Sequence, residues 1–251
     1  MRNRQQIVVA SLALGMLAAG GCKGGRIGNM YSRSDEVQMG QQFAKDFQND
    51  RKNRFITSGP QYDQLQRVAS RVFPLARRDW DVPYSISLVD SKEVNAFAVP
   101  GGPIYFYKGL VDLASSDDEV AAVLGHESTH IVKRHSAAQM SDSQGKSVIA
   151  QILLGAGRTS KDQQQIAGLF LGLQSLKFSR TDESQADEYG FKYLTQAGYN
   201  PDAMATFFEK MGKKTGGGGP EWLASHPVTS KRVEAARKRS DDYKKGITTA
   251  P

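Results

Sequence analysis

The chain has 251 residues, 39% hydrophobic and 24% charged, with a net charge of +7 and a single cysteine. This suits one domain, or a domain with a small appendage, able to bury a sizeable core, and a lone thiol excludes an internal disulfide. The bases are scattered or helical (Arg77-Arg78, Lys133-Arg134, Arg237 to Arg239, Lys244-Lys245) without interleaved aromatics, so they read as solvated faces and not as a nucleic-acid surface.

Residues 1–21 combine a basic start (Arg2, Arg4), an apolar run from Ile7 to Ala19 and small residues after it. The run is short for a membrane span, so the pattern reads as a signal peptide, with a short membrane anchor as the alternative. Cys22 follows Ala18-Ala19-Gly20-Gly21, which resembles the lipobox of bacterial lipoproteins, with Ala19 where Leu is commoner. The resemblance implies a lipidated Cys22 as mature N-terminus. With Lys23 next, it further implies an envelope protein on the periplasmic face, anchored by lipid to the outer membrane. Residues 22–34 then form the lipidated cysteine and a flexible tether.

Ordered structure is expected over residues 35–245. A first helix begins near Ser34 with Met39, Phe43 and Phe47 on one face. A second runs from about Tyr62 to Phe73 and ends at Pro74. Tyr84, Ile86 and Leu88 alternate as in a strand, and Asn95 to Tyr107 reads as two short strands joined at Pro100-Gly-Gly-Pro103, giving a small sheet with an open edge. A capping box at Ser116 to Glu119 starts the next helix. Val148 to Leu154 and Ile166 to Leu176 read as a helical hairpin. A helix from about Thr181 stops at Ala197-Gly198, and another starts at Asn200-Pro201. The glycine run 216–219 reads as a flexible loop, a last basic helix reaches about Lys245, and 246–251 fray.

The stretch Val123 to His135, VLGHESTHIVKRH, holds three of the four histidines. On a helix, residues four apart lie about 40° apart around the axis, so His126 and His130 project together and can share one ion. Glu127 reaches the same side without binding. This H-E-x-x-H pattern is that of zinc metallopeptidases, in which the glutamate handles the proton of a water; the alternative is a solvated basic helix. Catalytic zinc needs a third protein ligand. His135 lies about 140° around the helix from His130 and faces away, which leaves it a surface or packing role. No glutamate occurs between Ser128 and Asp182, so Glu183 is the first candidate. Asp187, four residues on, is suited to accept the spare N–H of a ligating histidine. Gly190 on that face lets two helices approach closely. The alternative for this segment is an exposed acidic face.

Four motifs in order now carry a resemblance: N-A-F-A-V-P-G-G, H-E-x-x-H, S-R-x-x-E-x-x-A-D-x-x-G and S-H-P-x-x-x-x-R. Together they are similar to the zinc endopeptidase family that includes the CAAX prenyl endopeptidases, HtpX and the Oma-type proteases. The likeness spans roughly Ser34 to Lys245. The family's transmembrane helices are not read in this sequence, which points to its soluble periplasmic lipoprotein branch, and the expectation is of a protein without a C-terminal helical-repeat extension.

The resemblance implies a mainly helical α+β fold of gluzincin type, a small edge-exposed sheet packed on the H-E-x-x-H helix, and one Zn2+ per chain. It implies His126, His130 and Glu183 as ligands and Glu127 as general base and acid. Asn95, Ala96, Phe97, Ala98, Val99, Pro100, Gly101 and Gly102 would form the strand that pairs with a polypeptide substrate. His226 and Arg232 would approach the site, His226 either donating to the oxyanion or filling the open coordination position at rest. The expected activity is peptide-bond hydrolysis in the cell envelope, acting on misfolded or unassembled proteins. The alternatives are a zinc amidase on cell-wall peptide and a closed, chaperone-like binding lipoprotein.

Overall fold

The first helix, α1 (Arg33–Asn49), starts because Ser32 and Asp35 cap it reciprocally: Ser32 Oγ accepts the Asp35 N–H and the Asp35 carboxylate accepts the Ser32 N–H. The computed structural model describes residues 31–142, 177–214 and 220–247. The signal peptide, Cys22, the expected helical hairpin and the glycine run lie outside the described residues. Within them, no helix is long and apolar enough to cross a membrane.

Four strands form one sheet in the order β1 (Phe55–Ile56), β2 (Ser85–Val89), β4 (Pro103–Tyr107), β3 (Ala96–Ala98). β2 and β4 are parallel and the outer pairs antiparallel. The turn between β3 and β4 needs glycine. Gly101 and Gly102 have φ of +86° and +126°, and a Cβ on Gly101 would lie 2.0 Å from the Glu36 carbonyl oxygen of α1. The period of two sorts the strand residues between layers. Ile86, Leu88, Ala96, Ile104 and Phe106 join the main core, while Val89, Phe97, Tyr105 and Tyr107 pack against Met39, Phe43 and Phe47 of α1. Helices therefore cover both faces, and among the described strands β1 and β3 are the edges, β3 being the edge within the candidate strand segment.

The remaining elements are α2 (Pro60–Asp79), α3 (Lys108–Leu113), α4 (Asp117–Val132), α5 (His135–Asp142), α6 (Arg180–Gln196), α7 (Ala203–Lys213), α8 (Trp222–Ser225) and α9 (Ser230–Lys244). Helix α2 corrects one expectation, because Pro74 lies inside it. The proline forfeits one backbone hydrogen bond, but Ala76 beyond it is fully buried and Leu75 packs on the core, so tertiary burial carries the helix to Asp79.

A second correction concerns α4. Ser116 does cap it through the Glu119 N–H, but the Glu119 carboxylate does not return to the Ser116 N–H. It accepts instead from the Ser115 N–H, Thr206 and Lys210, tying the start of α4 to α7. A third concerns Arg134. Its guanidinium bonds the buried carboxylate of Glu36 and lies over the Trp80 ring, so it is an internal tie and not a solvated base.

Candidate metal centre

Helix α4 is buried around its whole circumference from Glu119 to Ile131. His126, Glu127, Ser128, Thr129 and His130 are each 0–1% exposed, which removes the solvated-helix alternative. Five consecutive polar residues so placed need internal partners. Thr129 bonds the Gly125 oxygen of its own helix, and His126 and His130 meet carboxylates of α6, which packs on α4 where two glycines meet: a Cβ on Gly190 would sit 2.8 Å from the His126 nitrogen, and one on Gly125 2.7 Å from the Gly190 oxygen. This bears out the close approach predicted at Gly190. It brings the buried face of α6, carrying Glu183 and Asp187, against the histidine pair.

His126, His130, Glu183 and His226 each offer one ligand atom to a common point, all within 4.8 Å of one another. His126 Nε2 is 3.1 Å from His130 Nε2, 3.2 Å from His226 Nδ1 and 3.7 Å from Glu183 Oε2. His226 Nδ1 and His130 Nε2 lie 2.9 and 3.5 Å from Glu183 Oε1. A tetrahedral ion with bonds of about 2.0–2.1 Å sets neighbouring donor atoms about 3.3 Å apart, so the spacing and the donor set both fit Zn2+.

Hydrogen bonds behind the rings aim the lone pairs. The His126 Nδ1–H donates to Asp187 Oδ1 at 3.1 Å, which frees Nε2 to face the cluster. Gln185 accepts from His135 Nε2–H at 2.9 Å, His135 Nδ1 then accepts from His130 Nδ1–H at 3.0 Å, and His130 Nε2 is free in turn. Burial draws all three cluster histidines below the usual imidazole range, well below for His130 and His226, so they stand neutral as metal ligands must.

Arg232 knits the acidic side together. It donates to both oxygens of Asp187 at 2.7 and 2.8 Å and lies 2.6 Å from Glu183 Oε2. Burial works against the Asp187 carboxylate, yet the bonds from His126 and Arg232 hold it below the ordinary range. Glu183 stays above its ordinary range because burial outweighs His126 and Arg232.

Glu127 is held without joining the cluster. Its Oε1 accepts the Trp222 ring N–H at 3.0 Å, and its carboxylate also accepts the backbone N–H of Ala98. With only protein groups around it, burial pushes Glu127 up to about 8, against these two hydrogen bonds. Tyr107 N–H bonds the Asn95 oxygen and Val99 N–H the Pro103 oxygen, so these groups of β3 face β4 and the intervening Ala96 and Ala98 turn theirs to the open edge. Of the candidate strand segment Asn95 to Gly102, the strand proper is Ala96–Ala98; Pro100, Gly101 and Gly102 form the turn beneath α1.

Three residues were missed or misjudged from the sequence. His135 is buried against His130, because α4 ends at Val132 and Arg134 at φ +58° turns the chain back, voiding the 140° argument. Trp222 links Glu127 to His226, on which it stacks with centroids 4.7 Å apart. Phe178 stacks on His226 at 5.1 Å and packs on His130 at 3.9 Å. Only the W-x-x-x-H spacing offered a signal for the second of these.

Residues 61–240 match the model of peptidase family M48. The chain belongs to peptidase family M48. Among M48 relatives, it is 26% identical to the Escherichia coli (strain K12) beta-barrel assembly-enhancing protease over 86% of this chain and 46% of that protein. It is 34% identical to Metalloprotease LoiP of the same organism over 62% of this chain and 63% of that one. It is 30% identical to the mitochondrial metalloendopeptidase OMA1 of Schizosaccharomyces pombe, over 82% and 61%. The chain thus spans about half to two thirds of these proteins. The metal cluster, Glu127 and Arg232 all lie within the matched M48 peptidase domain.

Proposed function

We propose that the protein is a zinc-dependent endopeptidase of the bacterial cell envelope, lipid-anchored through Cys22 in the manner of the soluble lipoprotein branch. Its substrates on this reading are misfolded or unassembled proteins. The single observation that carries the reading is the convergence of His126, His130, Glu183 and His226 beside the separately held carboxylate of Glu127. The name of the Escherichia coli beta-barrel assembly-enhancing protease supports an envelope setting.

His126, His130 and Glu183 hold the ion. When bound, Zn2+ supplies Lewis acidity that polarises the scissile carbonyl and makes water nucleophilic at neutral pH. Glu127 takes the proton of the attacking water and returns it to the leaving amine. The Trp222 N–H and Ala98 N–H fix its carboxylate in place meanwhile. Asp187 and Arg232 orient His126 and Glu183. The substrate lies extended along β3, pairing with the outward backbone groups of Ala96 and with the Ala98 carbonyl, the Ala98 N–H being held by Glu127. The open strand edge favours polypeptide over cell-wall peptide. Cleavage of casein should vanish on chelation and return with equimolar zinc; unchanged cleavage by protein stripped of metal contradicts this reading.

His226 Nδ1 lies among the ligand atoms, so at rest it would fill the fourth position and would have to leave for substrate to enter. This observation also favours a protein that is closed until triggered. His226→Ala should raise the cleavage rate of a short unfolded peptide several-fold, measured by a fluorogenic assay. A fall of that size would place His226 in turnover instead.

A further inference from the structure

Among the described residues, Arg134 is the only one other than glycine with a left-handed backbone, at φ +58°. That conformation costs free energy for any residue with a Cβ and persists where the surroundings enforce it. Here the guanidinium enforces it. It bonds the buried Glu36 carboxylate in the first turn of α1 and the Tyr31 carbonyl just before that helix. It also lies over the Trp80 ring at the end of α2, 4.9 Å from the centroid.

The turn reaches the metal centre through the next residue. It starts α5 at His135 and sets that ring, 3% exposed, behind His130, with the two Nδ1 atoms 3.0 Å apart. The order of hydrogen bonds along this contact follows from the cluster outward. His130 faces the cluster with Nε2, so its hydrogen is on Nδ1 and His135 Nδ1 accepts it. His135 must then carry its own hydrogen on Nε2, and Gln185 of α6 accepts that one at 2.9 Å. An imidazole thus does behind His130 what the Asp187 carboxylate does behind His126.

We propose that Arg134 is a positioning residue for the metal centre: its left-handed turn, anchored on α1 and Trp80, holds His135 against His130 and so fixes the tautomer and aim of that ligand. The opening of α1 is thereby joined to a metal ligand through two side chains. Backbone, anchor and acceptor can be separated. Glycine at position 134 adopts the same φ without the anchor, and phenylalanine at 135 fills similar space and accepts nothing.

The role of Arg134 rests on the zinc reading, and the test separates the two. Zinc affinity is measured by competition with a chelating dye for wild type, His135→Phe, His135→Gln, Arg134→Gly and the Arg134→Gly, His135→Phe double variant. Thermal melts report whether each folds. The tautomers of the four histidines are read by nitrogen NMR of zinc-loaded wild type and Arg134→Gly.

His135→Phe should weaken zinc binding about tenfold, and His135→Gln, whose amide oxygen can accept from His130, should recover most of that loss. Arg134→Gly should weaken it by a similar factor alone, but by less than about twofold on top of His135→Phe, because both act through one contact. In wild type, His130 should carry its hydrogen on Nδ1 and His135 on Nε2; in Arg134→Gly, His135 should lose its single tautomer. Unchanged affinity in Arg134→Gly or His135→Phe, losses that add in the double variant, or a wild-type His135 with its hydrogen on Nδ1 overturns the proposal and leaves the zinc reading standing. A wild type that binds no zinc at these histidines overturns both.

Discussion

Glu127→Gln should lower the rate of peptide cleavage about 10³-fold while zinc content stays at one per chain. The size follows from the role: a group that shuttles a proton in the transition state contributes roughly 10²- to 10⁴-fold. The retained metal follows from geometry, since Glu127 stands outside the four-residue cluster and bonds Trp222 and Ala98 instead. A carboxamide fills the same space in a site 1% exposed where burial already pushes the carboxyl up to about 8, so the thermal midpoint should not fall by more than a few degrees. Metal analysis and a fluorogenic peptide assay on the purified variant check both halves. Near-wild-type cleavage would remove Glu127 from the chemistry, and loss of zinc would place it in the coordination sphere.

Gly190→Ala and Gly212→Ala should shift stability in opposite directions. In an exposed helix, Gly to Ala gains up to about 1 kcal/mol from backbone entropy. Gly212 of α7 is such a place, exposed, with nothing within 4 Å of the added Cβ. At Gly190 the Cβ lands 2.8 Å from the His126 nitrogen and 3.1 Å from the Gly125 carbon, both backbone atoms that cannot swing aside. Overpacking of that kind costs about 1–3 kcal/mol, which outweighs the helical gain. Pushing α6 from α4 also separates Glu183 from the histidine pair, so zinc affinity should fall at least tenfold in Gly190→Ala alone. Denaturant melts and zinc titration report the two effects. A stabilised Gly190→Ala protein with unchanged affinity would mean that the helix contact does not set the site.

Much of this centre was legible in the sequence because it is written in helical periods. His126 and His130 at four-residue spacing, and Glu183, Asp187 and Gly190 along one face, needed only helix geometry to be placed together. The open strand edge was legible too, since Pro-Gly-Gly-Pro admits few backbones.

What failed depended on where regular structure stops. Propensity makes Pro74 a terminus, while burial of Ala76 carries the helix past it. His135 faces away only if the helix is extended past Val132, where it ends, and Arg134 at φ +58° turns the chain. Trp222 and Phe178 come from short or irregular segments with no period to read, so their contacts with Glu127 and the histidine rings appear only in three dimensions.

The central claim is that one zinc ion sits among His126, His130 and Glu183. Anomalous diffraction at the zinc edge from crystals of zinc-loaded protein tests it most directly. A single peak per chain within about 2.0–2.2 Å of His126 Nε2, His130 Nε2 and a Glu183 carboxylate oxygen is the expected result. A peak elsewhere, or one at the histidine pair with Glu183 turned away from it, would contradict the account.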